Sequence, residues 1–171
     1  MVATGRRQSI RLKGFDYSEP GSYFVTVCVK DRECLLGDVV NGKIELNDVG
    51  RIVSSVWHDL AKRFKNIELD GFVIMPNHVH GIVVIVGAPL AGARDLRAGT
   101  RPAPTLGDII GAFKSVTARQ YYLDSKGEKL WQRNYYERVI RNEKELFEIR
   151  RYIQENPSKW ELDPENPERA A

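Results

Sequence analysis

The sequence predicts an α+β domain with a ferredoxin-like antiparallel sheet, a split β-α-β arrangement with helices on one face. Two observations support this fold class. Segments rich in β-branched residues alternate with segments of helical period in the order strand, helix, strand, strand, helix, strand, and an extra C-terminal helix carrying Tyr152 follows. The 171 residues are also enough for one domain with its own hydrophobic core.

The first half of the chain predicts one strand, one helix and one hairpin. Residues 23–29 alternate valine with mixed side chains, a pattern typical of a strand. Asn47 is placed to cap a helix from 49 to about 64, which carries an apolar stripe. Residues 67–75 and 78–86 predict two strands joined tightly at Pro76 and Asn77.

The second half predicts a loop, two helices and a last strand. Residues 87–104 are rich in Gly, Ala, Pro and Arg without a period, which indicates a linker or mobile loop. A helix capped by Thr105 extends to about 122, and residues 131–140 predict a fourth strand. Asn142, with Glu145 three residues later, resembles a capping box that opens the last helix, and Pro157 ends its regular part.

Composition narrows the class of protein. The formal net charge is only +3, and the longest apolar run, 81–86, has the length of a strand rather than of a membrane span. The N-terminus lacks the apolar segment of a secretory signal, and the two cysteines have no metal-type spacing, so we expect a cytoplasmic protein without membrane contact.

Charge is distributed unevenly along the chain. We expect a basic N-terminal arm at 1–13, one domain at 14–160 and an acidic tail at 161–171. Further arginines crowd the 87–104 loop. Basic clusters of this kind suit a phosphate backbone as partner, and a solvated surface explains them nearly as well.

His78 and His80 are the most informative pair in the sequence. Side chains two residues apart on a strand project from the same face, so the two imidazoles point together and can hold a divalent metal ion. The alternative is a turn histidine beside a core histidine. Spacing alone leaves both interpretations open.

Tyr152 and Asn156 form a second pair, one turn apart on one face of the last helix. Ile149 and Ile153 would hold this helix against the sheet. A half-buried packing tyrosine explains the same pattern, and spacing alone does not direct this face toward His78 and His80.

Three ordered motifs together resemble a known family. They are Met75 to His80, residues 130–143, and Tyr152-Ile153 followed by Asn156-Pro157. The combination resembles the REP-associated tyrosine transposases, which are single-tyrosine HUH transposases named for two histidines that flank a hydrophobic residue. The resemblance covers residues 14–160. The 87–104 loop departs from the family pattern.

The resemblance implies a set of roles. His78, His80 and Asn156 match the metal ligands, for which Mg²⁺ or Mn²⁺ suits an amide oxygen, and Tyr152 matches the nucleophile. The implied activity is metal-dependent cleavage and transfer of a DNA strand through a 5′-phosphotyrosine intermediate, as in DNA transposition. Single-stranded or hairpin DNA is the implied partner, and the protein would act as a monomer or a homodimer.

Candidate DNA contacts follow from residue type. Basic side chains contact phosphates and aromatic ones stack on bases, and the candidates are Lys114, Arg119, Arg133, Arg141 and Trp131. Each cation is equally explained as a solvated surface charge, and Trp131 as a core residue. Four other tyrosines lack a metal-capable residue one turn away on the same helix and rank below Tyr152 as nucleophile, namely Tyr121, Tyr122, Tyr135 and Tyr136.

Three alternatives remain at this point. An HUH nickase that starts replication or conjugation would usually carry more domains. A ferredoxin-like module could bind structured RNA or DNA without cutting it. A small metal-dependent hydrolase would need a carboxylate base, and none stands at a diagnostic position.

Overall fold

The structure is a computed structural model, and it describes residues 19–86, 104–124 and 127–167. The elements follow in the order β1 (Gly21–Cys28), β2 (Gly37–Val40), β3 (Lys43–Leu46), α1 (Asp48–Arg63), β4 (Ile67–Met75), β5 (His78–Ile85), α2 (Leu106–Asp124), β6 (Tyr136–Ile140) and α3 (Glu143–Glu155). Short 3₁₀ segments lie at Lys30–Arg32 and Pro157–Leu162.

The four long strands form an antiparallel sheet in the spatial order β4-β5-β1-β6. This is the order expected of a ferredoxin-like split β-α-β sheet, so the predicted fold class is confirmed. Sequence reasoning missed the separate β2–β3 hairpin. Its signal was the Asn41-Gly42 turn, in which both residues have positive φ, since this dipeptide is typical of two-residue hairpin loops.

The two faces of the sheet have different partners. On one face, α1 and α2 cover the main hydrophobic core, which includes Trp57 and Phe113. Gly81 of β5 is required there, because a Cβ on it would lie 2.3 Å from the Trp57 ring. On the other face, α3 packs through Ile149 and Ile153. Because His78 and His80 lie on this second face, we call it the histidine face.

Both predicted asparagine caps are present. The Asn47 side chain accepts a hydrogen bond from the Gly50 N–H, and the Asn142 side chain accepts one from the Glu145 N–H. The Glu145 carboxylate accepts from the Arg141 N–H, one residue before the cap. The caps fix where α1 and α3 begin, and therefore which of their residues face the sheet.

The predicted strand over 131–140 is wrong in its first half, because only Tyr136–Ile140 pairs with β1. Trp131 forms one isolated bridge with Val29. The next three carbonyl oxygens, of residues 132–134, accept hydrogen bonds from the Lys114 Nζ. The Gln132 N–H still donates to the Cys28 carbonyl of β1, but the Lys114 side chain, rather than a neighbouring strand, satisfies the three carbonyls.

Two predicted regions fall largely outside the described residues: the basic arm at 1–13, and the 87–104 loop except for Pro104. Among the helices that the structure describes, none combines the length and the apolar character needed to cross a membrane.

Candidate metal centre and nucleophile

The two histidines of β5 meet as their spacing predicts. The Nε2 atoms of His78 and His80 lie 3.0 Å apart, and both side chains are buried. Two nitrogens bound to one ion at right angles, each about 2.1 Å from it, would be separated by about 3 Å. The spacing of this pair therefore fits two adjacent ligands of an octahedral ion.

Asn77 determines which nitrogen of His78 carries the proton. Its Nδ2 donates to the backbone carbonyls of Arg32 and Glu165, at 3.1 and 2.7 Å, which fixes the orientation of the amide. The Asn77 Oδ1 then lies 2.8 Å from the His78 Nδ1 and can only accept. This network assigns the proton of neutral His78 to Nδ1 and leaves the Nε2 lone pair pointing into the site.

His80 is held by a hydroxyl and an aromatic ring. The Thr26 Oγ1 lies 2.8 Å from the His80 Nδ1, and the Phe24 ring stacks on the imidazole with centroids 5.3 Å apart. A hydroxyl can donate or accept, so His80 can carry its proton on either nitrogen. With the proton on Nδ1, the Nε2 lone pairs of both histidines face one point.

Burial keeps both histidines neutral. Desolvation lowers the pKa of His78 to about 4, against an opposing effect of the nearby Asp163 carboxylate. Desolvation and the neighbouring His78 place the pKa of His80 well below its usual range. Neutral imidazoles are the form that binds metal ions, so the site is ready for a cation at neutral pH.

Asp163 is the residue that sequence reasoning missed. Its Oδ2 lies 3.8 Å from the His78 Nε2, and the side chain is buried. Because His78 is neutral, this contact is not an ion pair; the carboxylate lies beside the lone pair of the His78 Nε2. Together with His80 these residues offer three possible ligand atoms within 4.8 Å of one another. Composition gave no signal, since Asp163 lies in the segment expected to form an acidic tail.

Tyr152 reaches the histidines from α3. Its hydroxyl lies 3.2 Å from the His80 Nε2, and its ring meets the Phe24 ring edge-on. The side chain is 44% exposed, so one side of the phenol remains open to solvent. Burial of the other side, with a contribution from Asp163, raises the pKa of Tyr152, and a hydrogen bond from Asn156 opposes the rise.

Two contacts position the helix that carries Tyr152. Ile153 is buried against β4, where the Cβ that Gly71 lacks would lie 3.3 Å from the Ile153 Cδ1. Burying one such side chain stabilises the fold by about 1.5–3 kcal/mol. Arg150 forms a two-pronged ion pair with Asp70 at the irregularity of β4, with nitrogen–oxygen distances of 3.0 and 2.5 Å. This pair lowers the pKa of Asp70.

Asn156 lies at the C-terminal end of α3, one turn beyond Tyr152. It is buried, and within the described chain its Oδ1 has no hydrogen-bond partner. Asn156 lines a small open pocket of about 140 Å³ together with Tyr152 and Asp163. A buried oxygen without a donor is costly unless something else satisfies it, and a cation would do so.

Two of the predicted DNA contacts have other partners within the protein. Trp131 is 7% exposed, and its Nε1 donates to the Thr117 hydroxyl, which favours the alternative of a core residue. Lys114 is occupied by the carbonyls of residues 132–134, and burial lowers its pKa to about 8. Arg119, Arg133 and Arg141 are exposed, and their contact with phosphate stays a prediction.

The chain has a relative of known sequence and a counterpart of known structure. No family model matches it. A protein of Haemophilus influenzae, described as uncharacterized, is 41% identical over 168 residues, which cover 92% of this chain and 91% of that protein. The chain belongs to the same family as this protein.

The fold has a solved counterpart. A REP-associated tyrosine transposase, whose structure was determined bound to a REP hairpin, superposes with a TM-score of 0.56 at 19% identity. The match covers 90% of this chain and 74% of that one. The resemblance inferred from the three sequence motifs is thus confirmed at the level of the fold.

Proposed function

We propose that the protein is a tyrosine HUH transposase, a metal-dependent enzyme that cuts and rejoins single-stranded DNA next to a hairpin. The observation that carries this proposal is the contact between the Tyr152 hydroxyl and His80, 3.2 Å long, beside a histidine pair only 3.0 Å apart. It sets a nucleophile next to a group of residues suited to a divalent cation.

The residues present fit such a cation. We assign His78, His80 and Asn156 as ligands and add Asp163, because the neutral imidazoles, the orphaned amide oxygen and the carboxylate are all acceptors. A mixed nitrogen and oxygen set with one carboxylate suits Mn²⁺ or Mg²⁺. When bound, the ion would polarise the scissile phosphate and offset the charge that develops on it.

The chain supplies the nucleophile for the cleavage step. The Tyr152 oxygen bonds to phosphorus, the bond from phosphorus to the 3′ oxygen breaks, and the freed 3′ oxygen takes up a proton as a hydroxyl. The phenol proton leaves to water at the exposed side of Tyr152. The product is a 5′-phosphotyrosine, which a 3′ hydroxyl attacks later to rejoin a strand without ATP.

The choice of substrate rests on the solved counterpart and on charge. That transposase was determined bound to a REP hairpin, and exposed arginines at 119, 133 and 141 supply candidate phosphate contacts here. Hairpin DNA with a single-stranded flank is therefore the proposed substrate. The proposed location of this activity is the cytoplasm.

Covalent capture of DNA tests the proposal. Purified protein, Mn²⁺ or Mg²⁺ and a labelled hairpin with a 5′ single-stranded extension should give an adduct that survives denaturation, together with a free 3′ hydroxyl. Tyr152→Phe removes only the reactive oxygen, so it should bind the DNA and form no adduct. His80→Ala should lose Mn²⁺ binding and the adduct together.

Matched controls separate the roles of the tyrosines. Tyr122→Phe alters an exposed phenol on α2 and should leave the adduct unchanged. An adduct in the Tyr152→Phe protein would assign the nucleophile to another tyrosine. DNA binding without an adduct in either metal ion would instead support the non-catalytic binding module.

A further inference from the structure

We propose that Tyr136 is a stacking platform for an unpaired base of the DNA strand that enters the site. This inference deepens the proposed function and rests on it. It assigns a nucleotide subsite to the edge strand β6, on the face of the sheet that carries His80. The ligand class is a single-stranded nucleotide, recognised through the face of its base.

The sheet register places Tyr136 on the histidine face. Tyr136 is opposite Thr26, which is opposite His80 on the next strand. Directly opposed residues of antiparallel strands share a face, and the bond from Thr26 to the His80 Nδ1 fixes which face it is. Neighbouring strands lie about 4.8 Å apart, so Tyr136 starts about 10 Å from His80 across the sheet.

Exposure distinguishes Tyr136 from Phe24. Phe24, on the same face of β1, packs against the His80 and Tyr152 rings. Tyr136 lies on an edge strand and is 45% exposed, close to the value for Tyr152. A large ring half open to solvent, on the same face of the sheet as the proposed nucleophile, offers the kind of surface on which unpaired bases stack.

The exposed guanidinium next to Tyr136, although paired with a carboxylate, favours a polar partner such as nucleic acid over an apolar one. Arg138 follows two residues later on the same face, and its side chain is 66% exposed. Glu145 of α3 forms an ion pair with it and holds the guanidinium beside the helix of Tyr152. An aromatic ring for a base and a guanidinium for the backbone form the usual pair of contacts to single-stranded DNA.

Base stacking can be measured in the absence of cleavage. The full-length Tyr152→Phe protein is titrated with hairpins whose single-stranded flank carries one 2-aminopurine, moved position by position. We expect fluorescence quenching at one position near the hairpin. The additional change Tyr136→Ala should remove this quenching and weaken binding about 5- to 150-fold, the loss typical of one stacked base. Tyr136→Phe keeps a ring and should retain both.

An abasic nucleotide at the quenched position tests the pairing directly. Removing the base should weaken DNA binding by the protein that contains Tyr136. In the Tyr136→Ala protein it should weaken binding little further, because the base and the tyrosine ring form the same contact. Tyr122→Ala, an exposed tyrosine on α2, is the matched control and should leave quenching and affinity unchanged.

Failure of the stacking proposal can be distinguished from failure of the proposed function. Additive effects of the abasic site and Tyr136→Ala, or quenching that survives Tyr136→Ala, overturn the stacking proposal even if wild-type protein forms the Tyr152 adduct. An equal loss in Tyr122→Ala overturns it as well. Absence of DNA binding by all the proteins overturns this proposal and the proposed function together.

Discussion

Asn77 accepts a hydrogen bond of 2.8 Å from the Nδ1 of His78, the next residue in the chain. Because the Asn77 amide nitrogen is occupied by two backbone carbonyls, this bond has only one direction. It turns the lone pair of His78 toward His80 and Asp163. One of the carbonyls belongs to Glu165, so the same side chain also holds the segment that delivers Asp163.

Loss of this orienting bond should weaken metal binding. For Asn77→Ala we expect Mn²⁺ affinity, measured by calorimetry, to fall about 10- to 100-fold, as for other residues that orient a metal-binding histidine. Asn47→Ala removes a helix cap and should cost about 1 kcal/mol of stability at unchanged Mn²⁺ affinity. Equal Mn²⁺ affinity in Asn77→Ala and wild type would show that Asn77 does not orient the ligand.

Asp163→Asn keeps the shape of the side chain and removes its charge. We expect at least about a tenfold loss of Mn²⁺ affinity, since carboxylates are the preferred ligands of hard cations. The pKa of Tyr152 should fall in the metal-free protein, because Asp163 helps to raise it. Glu161→Gln alters an exposed neighbour and serves as the control. Unchanged affinity in Asp163→Asn would remove Asp163 from the ligand set.

The metal-free protein should lose stability on acidification. The unfolded chain binds a proton at His78 near pH 6.5, whereas burial holds the folded-state pKa at about 4. The unfolded state therefore binds more protons between these values, and His78 alone should lower the free energy of unfolding by about 3 kcal/mol as the pH is lowered through this window. Urea titrations measure the slope.

Histidine variants identify the source of this slope. His78→Gln should make the dependence of unfolding free energy on pH shallower, whatever its effect on stability at pH 7, and His80, whose pKa is also lowered, should leave a remaining slope. His58→Gln, at an exposed position on α1, should keep the wild-type slope. A wild-type slope in the His78→Gln protein would show that His78 is not the responsible group.

The ion pair between Arg150 and Asp70 should affect the rate of Tyr152 adduct formation more than the free energy of unfolding. Both side chains are partly exposed, so Arg150→Met should cost less than about 1 kcal/mol. Formation of the proposed Tyr152 adduct should slow about tenfold, because the helix that positions the proposed nucleophile is less well fixed. Lys62→Met breaks an exposed pair on α1 and should leave the rate unchanged. Equal rates in all three proteins would contradict this role.

Two glycines should respond oppositely to alanine. In Gly81→Ala the new methyl group meets the Trp57 ring, and overpacking of this kind typically costs about 1–3 kcal/mol. Gly111 lies in α2 with nothing within 4 Å of its missing Cβ, so Gly111→Ala should stabilise the protein by about 0.5–1 kcal/mol. Thermal unfolding of the two variants should shift in opposite directions.

Local patterns in the sequence were enough to predict most elements. Period-two and helical apolar spacings gave the four strands of the sheet and the three helices, and Asn47 and Asn142 marked two helix starts where the structure has them. The last strand was predicted too long at its start. There, the carbonyls of residues 132–134 accept hydrogen bonds from Lys114, which lies 18 to 20 positions earlier in the chain. Such long-range bonds leave no local pattern.

In the candidate site, too, local pairs of residues were predictable and long-range placements were not. The sequence by itself determined that His78 and His80 share a face and that Tyr152 and Asn156 lie one turn apart, because strand and helix periods are local properties. Only the tertiary structure decided that α3 docks on that face, and that Asp163 returns to His78 after a further 3₁₀ segment. Those placements depend on packing at Ile153 and on the Asn77 hydrogen bonds, between residues far apart in sequence.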